Sequence, residues 1–303
     1  MSLHIFANIV TDYGTAANNR GENEGNTTTL QKLIWKGGIH TTVSAEAIRF
    51  SVRRLLAEME PEGTNRTWNE TSRTNEWKSP EFKEWEKTKA GKPHIDDDLL
   101  GFMSAKASKE ENTAGTANVR RAVLEVTRAV SLTPWPGDTT FNAASPGATP
   151  SAAKKGNNPV PYGAEIHATR YQYGIAMTPD RLHQADRAAK ALQAISNLRT
   201  VAGNHGRFLF DFSPAAVVYR ATEDPAPRLL YCFNTDDEGN TIDATELLRR
   251  VKAGDIAGSE LVVGGTLSTT ETGLELAKLG AEVHDGIKAA TNAICERIVQ
   301  ATA

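Results

Sequence analysis

Cysteine is nearly absent from this chain of 303 residues: Cys232 and Cys295 are the only two. They lie far apart with no ligand-type spacing, which excludes a disulfide framework and suits two packing thiols in a reducing cytoplasm. Long hydrophobic runs are missing as well. No apolar stretch approaches the ~20 residues of a membrane-spanning helix, so no membrane partner is expected. The opening "MSLHIFANIVTDYG" has neither a basic n-region nor a small-residue cleavage site and does not read as a signal peptide, so the expected location is cytoplasmic. Nor does one sign of charge dominate. With 34 Lys and Arg against 37 Asp and Glu, the net charge is -3, and bulk electrostatics does not drive the chain onto nucleic acid. Any polyanion site must be a local cluster.

Enzyme signatures are missing too. There is no G-x-x-x-x-G-K-[ST], no H-E-x-x-H, no C-x-x-C and no G-x-S-x-G. The histidines are scattered without ligand spacing, and neither a cofactor nor a metal is expected.

What is present has the cadence of an α+β domain. "LHIFANIV" is a short branched apolar run, a good strand. Residues 11–40 are long, polar and rich in Gly and Asn, too long for a simple connector. A helix follows, with Ser44 as N-cap, Glu46 in its first turn, and Ile48, Val52, Leu55 and Leu56 as its buried stripe. Residues 60–118 turn polar and carry Trp68, Trp77 and Trp85, reading as an insertion packed on its own aromatics. "AVLEVTRAVSL" returns to strand character. Residues 133–163 form a second protrusion, a loop or ragged hairpin dominated by Gly, Pro, Ala, Asn and Thr. "AEIHATRYQYGIAM" predicts the best strand of the chain, and "TPDRLHQADRAAKALQAISNLRT" an amphipathic helix. Beyond a glycine-bounded turn and strand, the remainder predicts a strand near 230, a helix from about 243, a strand at "ELVVGG" and a helical C-terminus. The order β–α–insert–β–insert–β–α–β is that of a split βαβ, a ferredoxin-like or RNA-recognition-motif sheet with one helix layer. The whole chain, 1–303, reads as a single elaborated domain.

Three clusters are candidates for chemistry. "DDD", Asp96–Asp98, offers carboxylates, but adjacent aspartates rarely converge on one ion, which favours a capping or solvated-turn role before "LLGFM". "VAGNHGRF" sets Asn204, His205 and Arg207 between small residues, either as a turn that clasps phosphate or base, or as a tight connection. Arg49 and Arg53 lie on a helix face offset from the apolar stripe. Taken alone they read as a solvated face with a local Glu46–Arg49 pair. Arg20, Lys32, Lys36 and His40 on the preceding segment change the balance, because together these cations can line a groove for a polyanion.

"NRGENEGNTTTLQKLIWKGG" followed by "HTTVSAEAIRFSVRR" resembles the N-terminal signature of the seventh family of Cas proteins, in its DevR-type, type I-B branch. The resemblance continues through "DDDLLGFM", "AEIHATRYQYGIAM" and "AGNHGRFLFDFSP", over roughly the first 220 residues; the C-terminal third carries little of it. It implies a non-catalytic backbone subunit of CRISPR Cascade. The fold would be an RNA-recognition-motif-like palm with a fingers insertion at 60–118 and a thumb at 133–163. The implied partners are crRNA, target DNA through the guide duplex, copies of the chain itself in a helical filament, and other Cascade subunits. Carried onto this sequence, the implied RNA-binding residues are Asn19, Arg20, Lys32, Ser44, Glu46, Arg49, Arg53, Asn204, His205 and Arg207, with Lys154 and Lys155 placed in the thumb by location; His40 joins them as a cation of the groove. Glu46 departs from relatives that carry an amide there. Two alternatives stand beside this reading: an aspartate-dependent RNase of type III backbone kind, using Asp96–Asp98 or Asp138, and a developmental or transcriptional regulator. Reversal of Arg49 and Arg53 is expected to abolish assembly on RNA without unfolding the protein.

Overall fold

A computed structural model describes residues 2–16, 23–82, 85, 93–104, 118–148, 150–154, 156, 159–201 and 210–302. Its helices are α1 (Ala45–Leu56), α2 (Ile95–Leu100), α3 (Pro150–Ala153), α4 (Arg187–Ser196), α5 (Thr245–Lys252), α6 (Glu271–Lys278) and α7 (Ile287–Thr302). None is long and apolar enough to cross a membrane.

The strand His4–Thr11 sits at the centre of the main sheet. It pairs antiparallel with Tyr171–Met177 on one side and Pro214–Thr222 on the other. Ala129–Ser131 continues the sheet beyond Tyr171–Met177, again antiparallel. Fourth, first, third and second strands thus lie side by side, with α1 and α4 as the crossovers, which is the split βαβ order expected from the sequence. The chain then enlarges this sheet at both edges. Gly38–Val43 and Lys32–Trp35 extend one side, and Leu261–Gly265 and Glu282–His284 the other.

Strand alternation divides the core into two layers. Ile5, Ala7 and Ile9, with Tyr171, Tyr173 and Ile175 beside them, face α1, α4 and α7. On α1 the residues Ile48, Val52 and Leu56 are fully buried there, and each contributes roughly 1.5–3 kcal/mol of transfer free energy. The sequence leads one to expect a single helix layer, on one face. Instead Phe6, Val10, Val218 and Val263 carry a second apolar layer, with Leu229, Phe233, Leu247 and Leu276 packed over it. Two buried amides latch this cover. Asn8 donates to Gln172 at 3.2 Å and accepts from the Tyr231 amide at 3.0 Å, while Gln172 donates to the Phe233 carbonyl at 3.0 Å. Nothing near residue 230 is strand among the described residues; that segment is the cover, held by side-chain amides rather than by a ladder.

The tryptophan-rich segment contains a hairpin, Arg66–Asn69 with Thr74–Trp77, that its irregular polarity concealed. Its aromatics pack on one another: Phe82 stacks on Phe102 at 3.8 Å, with Trp77 and Trp85 against the pair. The second protrusion is a hairpin of Thr139–Ala144 with Val160–Glu165, which Thr27–Thr28 joins in parallel. The helix expected from 178 starts later, because Pro179–Arg181 is a single 3-10 turn and α4 begins at Arg187. Cys232 and Cys295 are buried and free, and burial raises the two thiols to about 12 and about 11, so both stay protonated.

Candidate nucleic-acid interface

The start of α1 is built as its sequence demands. Ser44 is extended and its hydroxyl accepts from the Ala47 amide at 3.3 Å. Glu46, exposed in the first turn, has its carboxyl held below the usual range. Its own backbone N–H is the largest cause, opposed by partial burial and reinforced by the Ser44 hydroxyl, Arg128 and Arg49. Its departure from an amide therefore serves the helix end, where a negative charge is stabilised.

The arginine stripe is turned inward. Arg53 Nε lies 3.1 Å from Asp96 Oδ2 with its side chain 14% exposed, and Arg49 donates through Nη2 to the Leu100 carbonyl. Both arginines fasten α1 to α2, so the expectation of a face free for ligand is corrected. The outward row runs one residue further round the helix, through Glu46, Phe50, Arg54 and Glu58. His40 is likewise corrected: it is buried, and its Nδ1–H donates to the Ser131 carbonyl at 2.7 Å. Lys32 is held over Trp135, 4.0 Å from the ring centroid, and salt-bridged to Glu165 at 2.6 Å.

Asp96, Asp97 and Asp98 are not a solvated turn. All three are buried in the first turn of α2, each met by donors from different parts of the chain. Asp96 accepts from the backbone amides of Asn65 and Arg66 at 2.8 and 3.1 Å as well as from Arg53. Asp97 accepts from Asn65 Nδ2 at 2.8 Å. Asp98 accepts from Arg120 Nη2 at 2.6 Å, Arg187 Nη1 at 3.0 Å and the amides of His183 and Gln184. Arg187 also pairs with Glu60 at 2.8 Å. Burial works against the charge of Arg187, but the bonds from Glu60 and Asp98 outweigh it and raise its pKa. Gly101, at φ +66, closes α2 where a Cβ would overlap the Arg120 carbonyl oxygen. No cluster suited to a metal ion is present among the described residues.

Asn19, Arg20, Lys155, Asn204, His205 and Arg207 lie outside the described residues; residues that flank two of these segments meet at one corner. Gly14–Ala16 pairs with His167–Thr169, and Phe210 packs against Gly14 and edge-on to Tyr171 at 5.5 Å. Val201 is buried in the same core as Ile48, and Ser51 of α1 donates to the Thr200 carbonyl at 2.9 Å. Lys154 is remote from that corner in sequence and lies exposed just after α3, between the strands of the second hairpin.

A buried polar chain underlies the same corner. Thr41 Oγ1 is 2.7 Å from His167 Nδ1 and 2.7 Å from the Tyr171 hydroxyl, while His167 Nε2 meets Thr133 at 3.3 Å. Burial, with His40 nearby, pushes His167 down to about 4 from 6.5. A histidine whose folded value is depressed stabilises fully above its unfolded pKa, and that stability is lost as pH falls from about 6.5 to about 4. The window corresponds to about 3 kcal/mol. Urea unfolding at neutral and at mildly acidic pH is expected to show this loss, and His167→Gln, which keeps a polar partner for Thr41, is expected to remove that share of the pH slope.

Sequence reasoning missed Arg54, Arg66 and Arg199. Among the described residues, none of these three guanidinium groups is hydrogen-bonded or ion-paired to a side chain. Arg54 is exposed on the outer row of α1 and faces two clefts. One, of about 290 Å³, is shared with Arg199 and Thr200; the other, of about 520 Å³, lies between α1 and the first hairpin and includes Arg66. The signal was available as the i, i+4 row of polar and aromatic residues outside the apolar stripe.

A family model described as "CRISPR-associated negative auto-regulator DevR/Csa2" matches residues 10–254. A CRISPR-associated protein Cas7/Cst2/DevR of Myxococcus xanthus (strain DK1622) is 58% identical over 299 residues, 98% of either chain. The chain belongs to the Cas7/Cst2/DevR family. Among solved structures, this Cas7/Cst2/DevR chain is similar in fold to a chain of a CRISPR RNA-guided surveillance complex, with a TM-score of 0.58 at 15% identity over 97% of this chain and 99% of that one. A second such chain, from a pre-nicking complex, gives a TM-score of 0.55 at 13% identity over 97% and 100%. In this Cas7/Cst2/DevR protein the sheet face on which RNA-recognition motifs stack bases is covered by the segments that carry Leu229, Phe233, Leu247 and Leu276.

Proposed function

We propose that the protein is a guide-RNA-binding backbone subunit of a type I-B Cascade effector. Copies add along a crRNA and present it for pairing with target DNA, in antiviral defence or transposon targeting. The observation that carries this reading is the 58% identity to a Cas7/Cst2/DevR protein along 98% of both chains. The residues that flank the proposed contacts support where the RNA would lie: Gly14, ahead of Asn19 and Arg20, packs against Phe210, which follows Arg207, and Thr200, ahead of Asn204, meets Ser51 of α1. Backbone N–H groups and cations there hold phosphates and 2′-hydroxyls without reading bases, so any guide is accepted and specificity passes to Watson–Crick pairing. In this reading 60–118 are fingers, and 133–163, with Lys154 and Lys155, are a thumb.

The activity is binding, not bond-making. Asp96–Asp98 are committed to internal donors and do not converge on solvent, which argues against an aspartate-dependent RNase at that site. Purification from a host carrying the CRISPR array, followed by native mass spectrometry and sequencing of bound RNA, is expected to return array-derived guides with several copies of the chain. The same complex incubated with complementary RNA and Mg²⁺ is expected to leave that RNA intact, in wild type and in Asp138→Asn alike. Repression of its own operon in a strain without any array would instead assign the regulatory role in the family model's description.

A further inference from the structure

The cleft between α1 and the first hairpin is a site of a different kind from the phosphate-binding corner. We propose that it receives one unstacked nucleobase of a single strand. Phe50 and Trp68 form its aromatic wall, edge to face with centroids 6.3 Å apart, and remain 36% and 41% exposed. Its volume of about 520 Å³ falls within the roughly 300–1,000 Å³ of small-molecule sites. Arg54 reaches it, as does Arg66, whose guanidinium lies 5.5 Å from the Trp77 ring centroid and whose buried Nε has no hydrogen bond among the described residues; Arg53 also lines it but is paired with Asp96. Thr67 and Asn75 add short polar groups, and Glu58 and Glu70 add two carboxylates.

That lining decides the ligand class. Of the three arginines in the lining, Arg53 is paired with Asp96, and Arg54 and Arg66 are balanced by Glu58 and Glu70, so the cleft has no excess charge to draw in a run of phosphates. A nucleobase needs what is there: a flat apolar face to stack on, a guanidinium plane, donors for its ring acceptors and carboxylates for its exocyclic amines. The lining discriminates little among the four bases, since every base has a π-face. An acidic peptide is disfavoured by the same two glutamates.

The test uses the full-length protein freed of bound RNA, with a short single strand carrying a central 2-aminopurine, prepared once as RNA and once as DNA. Binding is expected to change the probe's fluorescence, and the stronger of the two arms identifies the strand that supplies the base. Trp68→Ala is expected to weaken single-strand binding by about 5- to 100-fold, and Trp68→Phe to restore most of it. Because stacking and not counterion release is removed, the salt dependence of the remaining binding is expected to stay unchanged. Trp68 is exposed, so thermal unfolding of both variants should match wild type. Unaltered affinity in Trp68→Ala, or equal affinity for a blunt duplex, overturns the proposal. So does a Trp68→Ala variant that binds single strands normally but no longer associates with its own copies, which would assign the cleft to a protein segment. Guide RNA loading in the assembled complex depends on the other corner, so failure here leaves the guide-binding reading standing.

Discussion

Asp98→Ala is expected to cost about 3–5 kcal/mol of folding stability, the range for removing one partner of a buried ion pair. Asp98 is fully buried and answers four donors: Arg120, Arg187 and two backbone amides. Its removal leaves Arg187, 2% exposed, with Glu60 and the Pro93 carbonyl as its partners among the described residues, and strips the cap from the segment entering α4. A native domain holds roughly 5–15 kcal/mol in total, so the loss is a large share of it. Urea titration is expected to show a lower midpoint. Glu125→Ala is the control: it breaks the exposed Arg121–Glu125 pair, 80% and 49% accessible, and is expected to change stability by less than about 1 kcal/mol. Equal effects from the two substitutions would contradict the buried role of the aspartates.

Arg20→Glu with Arg207→Glu is expected to abolish co-purification of guide RNA while the protein keeps its unfolding midpoint. In the isolated protein, the slope of log affinity against log salt should fall by about one for each phosphate that is no longer neutralised. Arg53→Glu is expected to do the opposite. It sets a carboxylate against Asp96, which is buried and already fixed by the Asn65 and Arg66 amides, so the fold is lost first. The double reversal of Arg49 and Arg53 suggested by the sequence would therefore confound binding with stability. Thermal melts beside RNA recovery separate the two, and an Arg53→Glu protein that melted like wild type would return Arg53 to the ligand face.

The contrast shows what the residues alone could convey. Periodicity located α1, its Ser44 cap, the strand Tyr171–Met177 and the split βαβ order, because each depends on neighbours in sequence. The charged partners were not legible. Arg53 and Asp96, or Arg187 and Asp98, meet only through tertiary packing, and a cation that is paired looks the same in sequence as one that is free. The second apolar layer escaped for a related reason. Phe6, Val10 and Val218 alternate with the first layer, and short strands that are apolar on both faces do not announce what covers them. His40 was misplaced because a lone histidine on a loop-like stretch carries no mark of the Ser131 carbonyl that holds it. Arg54 was overlooked because the i, i+4 arginine pair drew the eye one position away from the exposed row.

The three aspartates of α2 reach out in three directions: Asp96 and Asp97 to the root of the first hairpin, Asp98 to Arg120 and to α4. A six-residue helix thereby braces the first hairpin to α4 and to Arg120 at separate points, as a gusset stiffens a bracket. In a filament assembled by repeated addition of this chain, such bracing would act as a ruler. The offset between the main sheet and the first hairpin would be set once, by the geometry of one short helix, and every added copy would repeat the same step.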